Sequence, residues 1–172
     1  VIDVTCFGFS DGSIYISTLN GFTPIQYTWS NGSTTEDITG LLIGTYTLTV
    51  TDVYGCQGVI VQAINQPPVL SVTILSSDPT CTNADGSATA FASGGTGAYA
   101  YLWSTGATTS GITNLLPGTY TVTVTDENNC ITIQTDTIVA SGLPQVSLNT
   151  ISDVTCNGAN DGSITINPAG GE

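Results

Sequence analysis

The side chains able to do chemistry in this 172-residue chain are few. There are five cysteines, Cys6, Cys56, Cys81, Cys130 and Cys156, and thirteen carboxylates, but no histidine, lysine or arginine. Nucleophilic sites of the Ser-His-Asp, Cys-His and Ser-Lys kinds, and Schiff-base chemistry, each need one of the missing bases, so all are excluded. The lack of lysine also removes Lys–Asn isopeptide cross-links. Two carboxylates alone can run glycoside hydrolysis. One adjacent pair, Glu36-Asp37, reads instead as a solvated loop, because Ser110 and Gly111 stand at its counterpart positions. The chain is read as non-enzymatic, with no cofactor required. Calcium, which takes carboxylate and carbonyl oxygens from loops, is the best ligand candidate. Its weak candidate sites are Asn83 and Asp85, and Asn160 and Asp161, with Asp78 and Asp153 nearby. The same residues are also what a type I turn favours. Asn31 heads an Asn-Gly-Ser glycosylation sequon that is equally a turn.

The cysteines gain meaning from an internal repeat. Asp3-Val4-Thr5-Cys6 recurs as Asp153-Val154-Thr155-Cys156, with Asp78-Pro79-Thr80-Cys81 between them. Trp29 recurs at Trp103, Cys56 at Cys130, and Gly44-Thr45-Tyr46 at Gly118-Thr119-Tyr120. A period of about 74 residues predicts unit one over 1–67 with most of its first strand missing, unit two over 68–143, and the start of unit three over 144–172. Pro-containing joints, Gln66-Pro67-Pro68 and Gly142-Leu143-Pro144, mark the boundaries. A chain that opens on Val1 reads as a processed or excised segment, and the truncated unit three implies an array running past Glu172. Each unit has one early and one late cysteine. The pairing expected is within units, Cys6 with Cys56 and Cys81 with Cys130, leaving Cys156 for a partner further on. A Cys56–Cys81 bond across the joint and unpaired thiols are the alternatives.

Period-two alternation predicts the elements that hold these residues. Thr45 to Thr51 sets Tyr46, Leu48 and Val50 against a row of threonines, and Tyr120, Val122 and Val124 repeat the pattern. Ile25, Tyr27 and Trp29 alternate likewise, and Ile14 and Ile16 follow an Asp-Gly turn. No capped segment with a helical period is present. The expected fold is all-β, tandem small Ig-like Greek-key sandwiches with one disulfide each. Trp29 and Trp103 are the expected core tryptophans. Tyr46 and Tyr120, just inside a strand after a glycine corner, fit a tyrosine corner. A domain this small buries only about 60–65% of its unfolded surface. Closing a loop of about 50 residues would stabilise it by roughly 4 kcal/mol in the chain-entropy account.

The formal charge is −13 with only 8% charged residues and 40% hydrophobic ones. That composition suits a folded chain rather than a disordered one. Without a cation, nucleic acid and anionic membrane surfaces are poor partners. No apolar run reaches the ~18 residues of a membrane span, so no membrane insertion is expected.

The quoted motifs resemble the SprB-type repeat of cell-surface proteins of gliding Bacteroidota. Trp29-Ser30-Asn31-Gly32-Ser33-Thr34-Thr35 and Gly118 through Asp126 match its pattern, and both units match over nearly their full length. Asn129 in place of Gly55, and Leu19-Asn20-Gly21 in place of Gly94-Gly95, are small departures. The resemblance implies a secreted, extracellular, cell-surface adhesin. It implies a stalk or filament serving adhesion or gliding motility, with type IX secretion as the export route. Neighbouring repeats of the same chain or filament are the implied partners, with a surface polysaccharide or substratum beyond them. Thr137, in Asp136-Thr137-Ile138, resembles an O-glycosylation acceptor of the same bacteria. Two further readings stand beside the stalk. One is a carbohydrate-binding module, with calcium assisting. The other is a filament of separate subunits in which Val146 to Ile151 of one chain completes unit one of the next by strand donation.

Overall fold

The structure is a computed structural model that describes residues 1–81, 83–141 and 145–169. The second proline joint, Gly142-Leu143-Pro144, and the end at Glu172 lie outside the described residues. Among the described residues every element is a strand: β1 (Gly12–Ile14), β2 (Gln26–Trp29), β3 (Ile38–Leu41), β4 (Gly44–Thr51) and β5 (Gln57–Ile64). The same order follows in β6 (Ser71–Ser77), β7 (Gly86–Ser93), β8 (Ala100–Trp103), β9 (Gly111–Leu115), β10 (Gly118–Thr125) and β11 (Ile131–Ile138). The hairpin strands β12 (Gln145–Ser152) and β13 (Ser163–Ala169) close the described chain.

In repeat one, β1 pairs with β3, and β2, β4 and β5 form the facing sheet. Trp29 and Leu48 on one sheet meet Ile14, Ile38 and Leu41 on the other, with Val4 and Ile64 closing the same buried cluster. Two sheets sharing one apolar layer make a sandwich, and the chain crosses between them at each of its first three connections, the Ig-like Greek-key arrangement. Repeat two has the sheets β6-β7-β9 and β8-β10-β11, in which Trp103, Val122, Val124 and Ile138 are at most 2% exposed. The alternation of β4 and β10 arises because one face turns into this layer while the threonine face stays half-exposed outside it. On β10 the outer threonines join the next strand through hydroxyls, Thr121 to Thr135 at 2.9 Å.

Strand β3 carries a bulge. Gly12 faces Leu41 and Ser13 faces Thr39, so Gly40 is the extra residue, at φ 71°. In β9 the extra residue is Asn114, at φ 58°, asparagine being the side chain that best tolerates the left-handed region after glycine.

The residues divide into two compact units whose borders cut across the repeats. One gathers Val1–Val72 with Ala92–Tyr101 and Thr123–Ile133. The other gathers Thr73–Phe91, Leu102–Val122 and the chain from Gln134 onward. The first unit thus takes repeat one together with two segments of repeat two.

Candidate functional site

The covalent junction of the chain is built from two loops. The first follows Val4, whose amide donates to the carbonyl of Asn65 (3.0 Å). Asp11 accepts from the backbone N–H of Thr5 (3.0 Å) and from its hydroxyl, which holds the turn around Cys6. These bonds stabilise the charged form and keep the Asp11 carboxyl below its ordinary value, the hydroxyl of Thr5 contributing most. Asp85 holds Thr80, and Asp161 holds Thr155, in the same way and with the same downward shift. The Asp-Gly pattern in front of each second strand is therefore a threonine clasp. The calcium candidates Asp85 and Asp161 spend both carboxylate oxygens on it. Asn83 donates to the Thr80 hydroxyl (3.1 Å). Asn160 is exposed.

The second loop joins β10 to β11. Asp126, only 4% exposed, accepts through Oδ1 from the N–H groups of Asn128 (3.0 Å) and Cys130 (2.8 Å). Its Oδ2 accepts from Thr96 N–H (2.8 Å). Asn129 takes φ 64° to close the turn, and at the corresponding Gly55 φ is 83°. The departure seen in the sequence is a swap between the two residues that suit this backbone.

These loops meet inside the first compact unit. Cys6 and Cys130 form a disulfide, with S–S 2.02 Å and Cα atoms 5.7 Å apart. Asn128 Nδ2 donates to the carbonyl of Thr5 (3.0 Å). Gly95 N–H donates to Pro68 O (2.9 Å) in the joint. A groove of about 330 Å³ beside the disulfide is walled by Phe7, Phe9, Pro68, Leu70 and Ile131. A Cβ on Gly94 would stand 2.0 Å from the carbonyl oxygen of Val69, so glycine is required where the joint passes over this loop.

The expected pairing within units is therefore corrected. Cys6 is bonded to the late cysteine of the following repeat, and neither Cys6–Cys56 nor Cys81–Cys130 forms. The reason is length. Cys56 precedes the eight-residue strand β5, whereas the Cys6 turn lies beyond its far end, where Gly8 N–H donates to Gln66 Oε1 (3.0 Å). Eight residues at ~3.3 Å hold the two cysteines about 26 Å apart, several times the reach of a disulfide. The early cysteine lies at the exit end of its sandwich and the late one at the entry end. Cys56 and Cys156 are exposed thiols, and Cys81 is partly covered, its N–H donating to Ser141 O (2.7 Å).

Trp29 and Trp103 are each 2% exposed, and their indole N–H groups donate to Thr35 O and Thr109 O, both at 2.9 Å. The hydroxyls of Tyr46 and Tyr120 donate to Leu42 O (3.1 Å) and Leu116 O (2.9 Å), the tyrosine-corner bond to backbone just upstream. Both rings are half-buried. Of the carboxylate pair, Glu36 is exposed and Asp37 accepts from Ile16 N–H (2.9 Å), a structural tie. Asn31 and Thr137 are exposed. Among the described residues no group of three metal-ligating side chains gathers, and no helix is long and apolar enough to cross a membrane. Sequence reasoning missed Asp52, Asp126 and Asn128. The signal was the shared Thr-Asp before each late cysteine, at Thr51-Asp52 and Thr125-Asp126.

No curated protein matches the chain. A solved structure of Down Syndrome Cell Adhesion Molecule, isoform 1.30.30, N-terminal eight Ig domains, is similar at 12% identity and a TM-score of 0.37. It covers 86% of this chain, and the chain spans 23% of that one. The family model described as SprB repeat matches residues 1–34, 73–108 and 148–172, more than half of the chain. Each matched segment holds an early cysteine inside its threonine clasp. The chain belongs to the SprB repeat family.

Proposed function

We propose that this chain is a structural repeat segment of a large secreted cell-surface adhesin, a stalk that supports surface adhesion or gliding. The observation that carries the reading is the disulfide between consecutive repeats, Cys6 to Cys130. A bond that ties the exit end of one sandwich to the entry end of the next resists separation of the repeats, as a spacer under tension requires. A persistent disulfide also belongs to an oxidising, extracellular setting. The units proposed are 1–67, 68–143 and 144–172, with neighbouring repeats as the immediate partners and a surface polysaccharide or substratum at the distal end. Export by a type IX route belongs to the same proposal, and so does the absence of catalysis.

The test is to label intact cells of the source organism with an antibody raised against this chain. Surface labelling that is lost on mild external proteolysis, together with weakened attachment after deletion of the parent gene, is the expected result. Labelling only in permeabilised cells would overturn the reading. Strong, selective binding of the chain to a glycan array would favour a carbohydrate-binding module instead.

A further inference from the structure

Both halves of the observed junction occur a second time in this chain. The loop carrying Cys56 copies the one carrying Cys130. Asp52 Oδ1 accepts from Tyr54 and Cys56 N–H, both at 2.9 Å, and Asp52 N–H donates to Cys56 O (3.0 Å), as Asp126 N–H does to Cys130 O (3.0 Å). The loop carrying Cys156 copies the one carrying Cys6. Thr155 N–H and hydroxyl donate to Asp161, and Ala159 N–H donates to Cys156 O (3.0 Å) as Phe9 N–H does to Cys6 O (3.1 Å). Cys56 and Cys156 are both exposed thiols.

From this we infer that Cys56 is the acceptor for the early cysteine of another SprB repeat, and that a second copy of this chain supplies one in Cys156. The formed Cys6–Cys130 bond shows that an early loop and a late loop of these shapes fit together. The rule is directional. An early cysteine bonds the late cysteine of the repeat that follows it. Copies therefore join head to tail, Cys156 of one to Cys56 of the next, and a continuous array acquires a ladder of bonds each spanning one joint. The apolar rim at the acceptor suits such an end face, with Phe22 and Tyr54 edge to face at 5.1 Å and 64% and 74% exposed. The copies differ in three places. Tyr54 stands where Asn128 donates to Thr5 O, and Asn157 and Ala159 stand where Phe7 and Phe9 wall the groove. Asn20, at φ 63°, carries a Cβ where Gly94 has none. The close passage of a joint seen at Gly94 is displaced at Asn20, so the inference covers the loop-to-loop contact and not the path of the joint. It stands on the fold alone and goes beyond the proposed biological role.

The step needs an oxidant, and a small-molecule disulfide supplies it. One protein thiolate attacks a sulfur of oxidised glutathione and expels a glutathione thiolate. The second protein thiolate then attacks the protein sulfur of the mixed disulfide and expels the other. Two protons leave the protein thiols and two glutathione thiols result. The experiment refolds the reduced chain in a glutathione redox buffer at rising protein concentration and runs non-reducing gels. Disulfides are mapped after chymotrypsin or an Asp-directed protease, since trypsin has no site here. The expected result is Cys6–Cys130 at every concentration and a reducible ladder of oligomers whose cross-linked peptide is Cys56–Cys156. Cys56→Ser and Cys156→Ser each abolish the ladder and keep Cys6–Cys130, and a mixture of the two variants stops at dimers. Equal yields of Cys56–Cys56 and Cys156–Cys156, a Cys56–Cys156 bond within one copy, or Cys56 left as thiol or glutathione adduct while Cys6–Cys130 forms, would each overturn the inference.

Discussion

Pulling on the two ends of the oxidised chain gives a length that depends on which cysteines are joined. Cys6 and Cys130 are 124 residues apart in sequence. That whole loop stays out of the tensioned path while the bond is intact. Only the five residues before Cys6 and those after Cys130, about 47 in all, can extend, giving at most ~170 Å at 3.6 Å per residue. Reduction releases the loop and adds about 410–450 Å on the same arithmetic. Pairing within repeats would instead trap two loops of about 50 residues and release about 160–180 Å from each. Single-molecule force spectroscopy of the full chain, with and without reductant, reads these lengths directly. Two releases of the shorter kind, or no change on reduction, would refute the bond between repeats and the mechanical argument built on it. The same bond contributes up to about 5 kcal/mol in the chain-entropy account for a loop of this size, so Cys130→Ser should lower the urea midpoint of the first compact unit.

Tyr120→Phe removes one hydrogen bond from a half-buried hydroxyl and should cost about 0.5–1 kcal/mol in urea unfolding, with the fold retained; an unchanged midpoint would refute the corner bond. Trp103→Ala empties the centre of repeat two and should cost about 3–5 kcal/mol, enough that loss of cooperative melting by circular dichroism is expected. Asp85 has a carboxyl held below its ordinary value of 3.8 by the Thr80 hydroxyl and N–H. Its clasp is therefore fully present above that value and lost as pH falls through the lower folded one. The melting gap between the parent and Asp85→Asn should be open at pH 7 and narrow below pH ~4; a gap independent of pH would count against the clasp. Millimolar EDTA should move melting by no more than a few degrees, and a larger fall would make the Asp85 and Asp161 loops metal sites through the linkage of binding to stability.

The long strands were legible because β4 and β10 each turn an apolar row inward and a half-exposed threonine row outward, so Leu48 and Val122 declare themselves by position. Strand β3 was not legible. Its bulge at Gly40 sets the two buried residues, Ile38 and Leu41, three apart instead of two, and the alternation vanishes. Trp29 faces Leu48 in the β2–β4 register, so the alternation that marks β4 marks the tryptophan position too. The disulfide partner was not readable from cysteine spacing. Strands β2 and β3 run only part of the sandwich length, with a reversal held by Trp29 N–H on Ser33 O (2.9 Å). Counting strands therefore does not reveal the end at which a turn emerges. Only the paired length of β4 and β5 fixes that.

The position of Cys130 also sets an order of events as the chain is made. Cys6, Cys56 and Cys81 all exist before Cys130 does. At roughly 5–20 residues per second, the interval between Cys6 and Cys130 is about 6–25 s. In the unfolded chain the shorter Cys6–Cys56 loop closes more easily, by about 0.8 kcal/mol on loop entropy. A chain oxidised while still unfolded therefore favours the wrong bond. Once β4 and β5 have zipped together, that bond is out of reach, and Cys6 is held unpaired at the exit end until the next repeat arrives. Correct pairing thus records that folding came first and oxidation second. Repeat one gains its Cys6 bond only after the following repeat, which carries Cys130, has been synthesised.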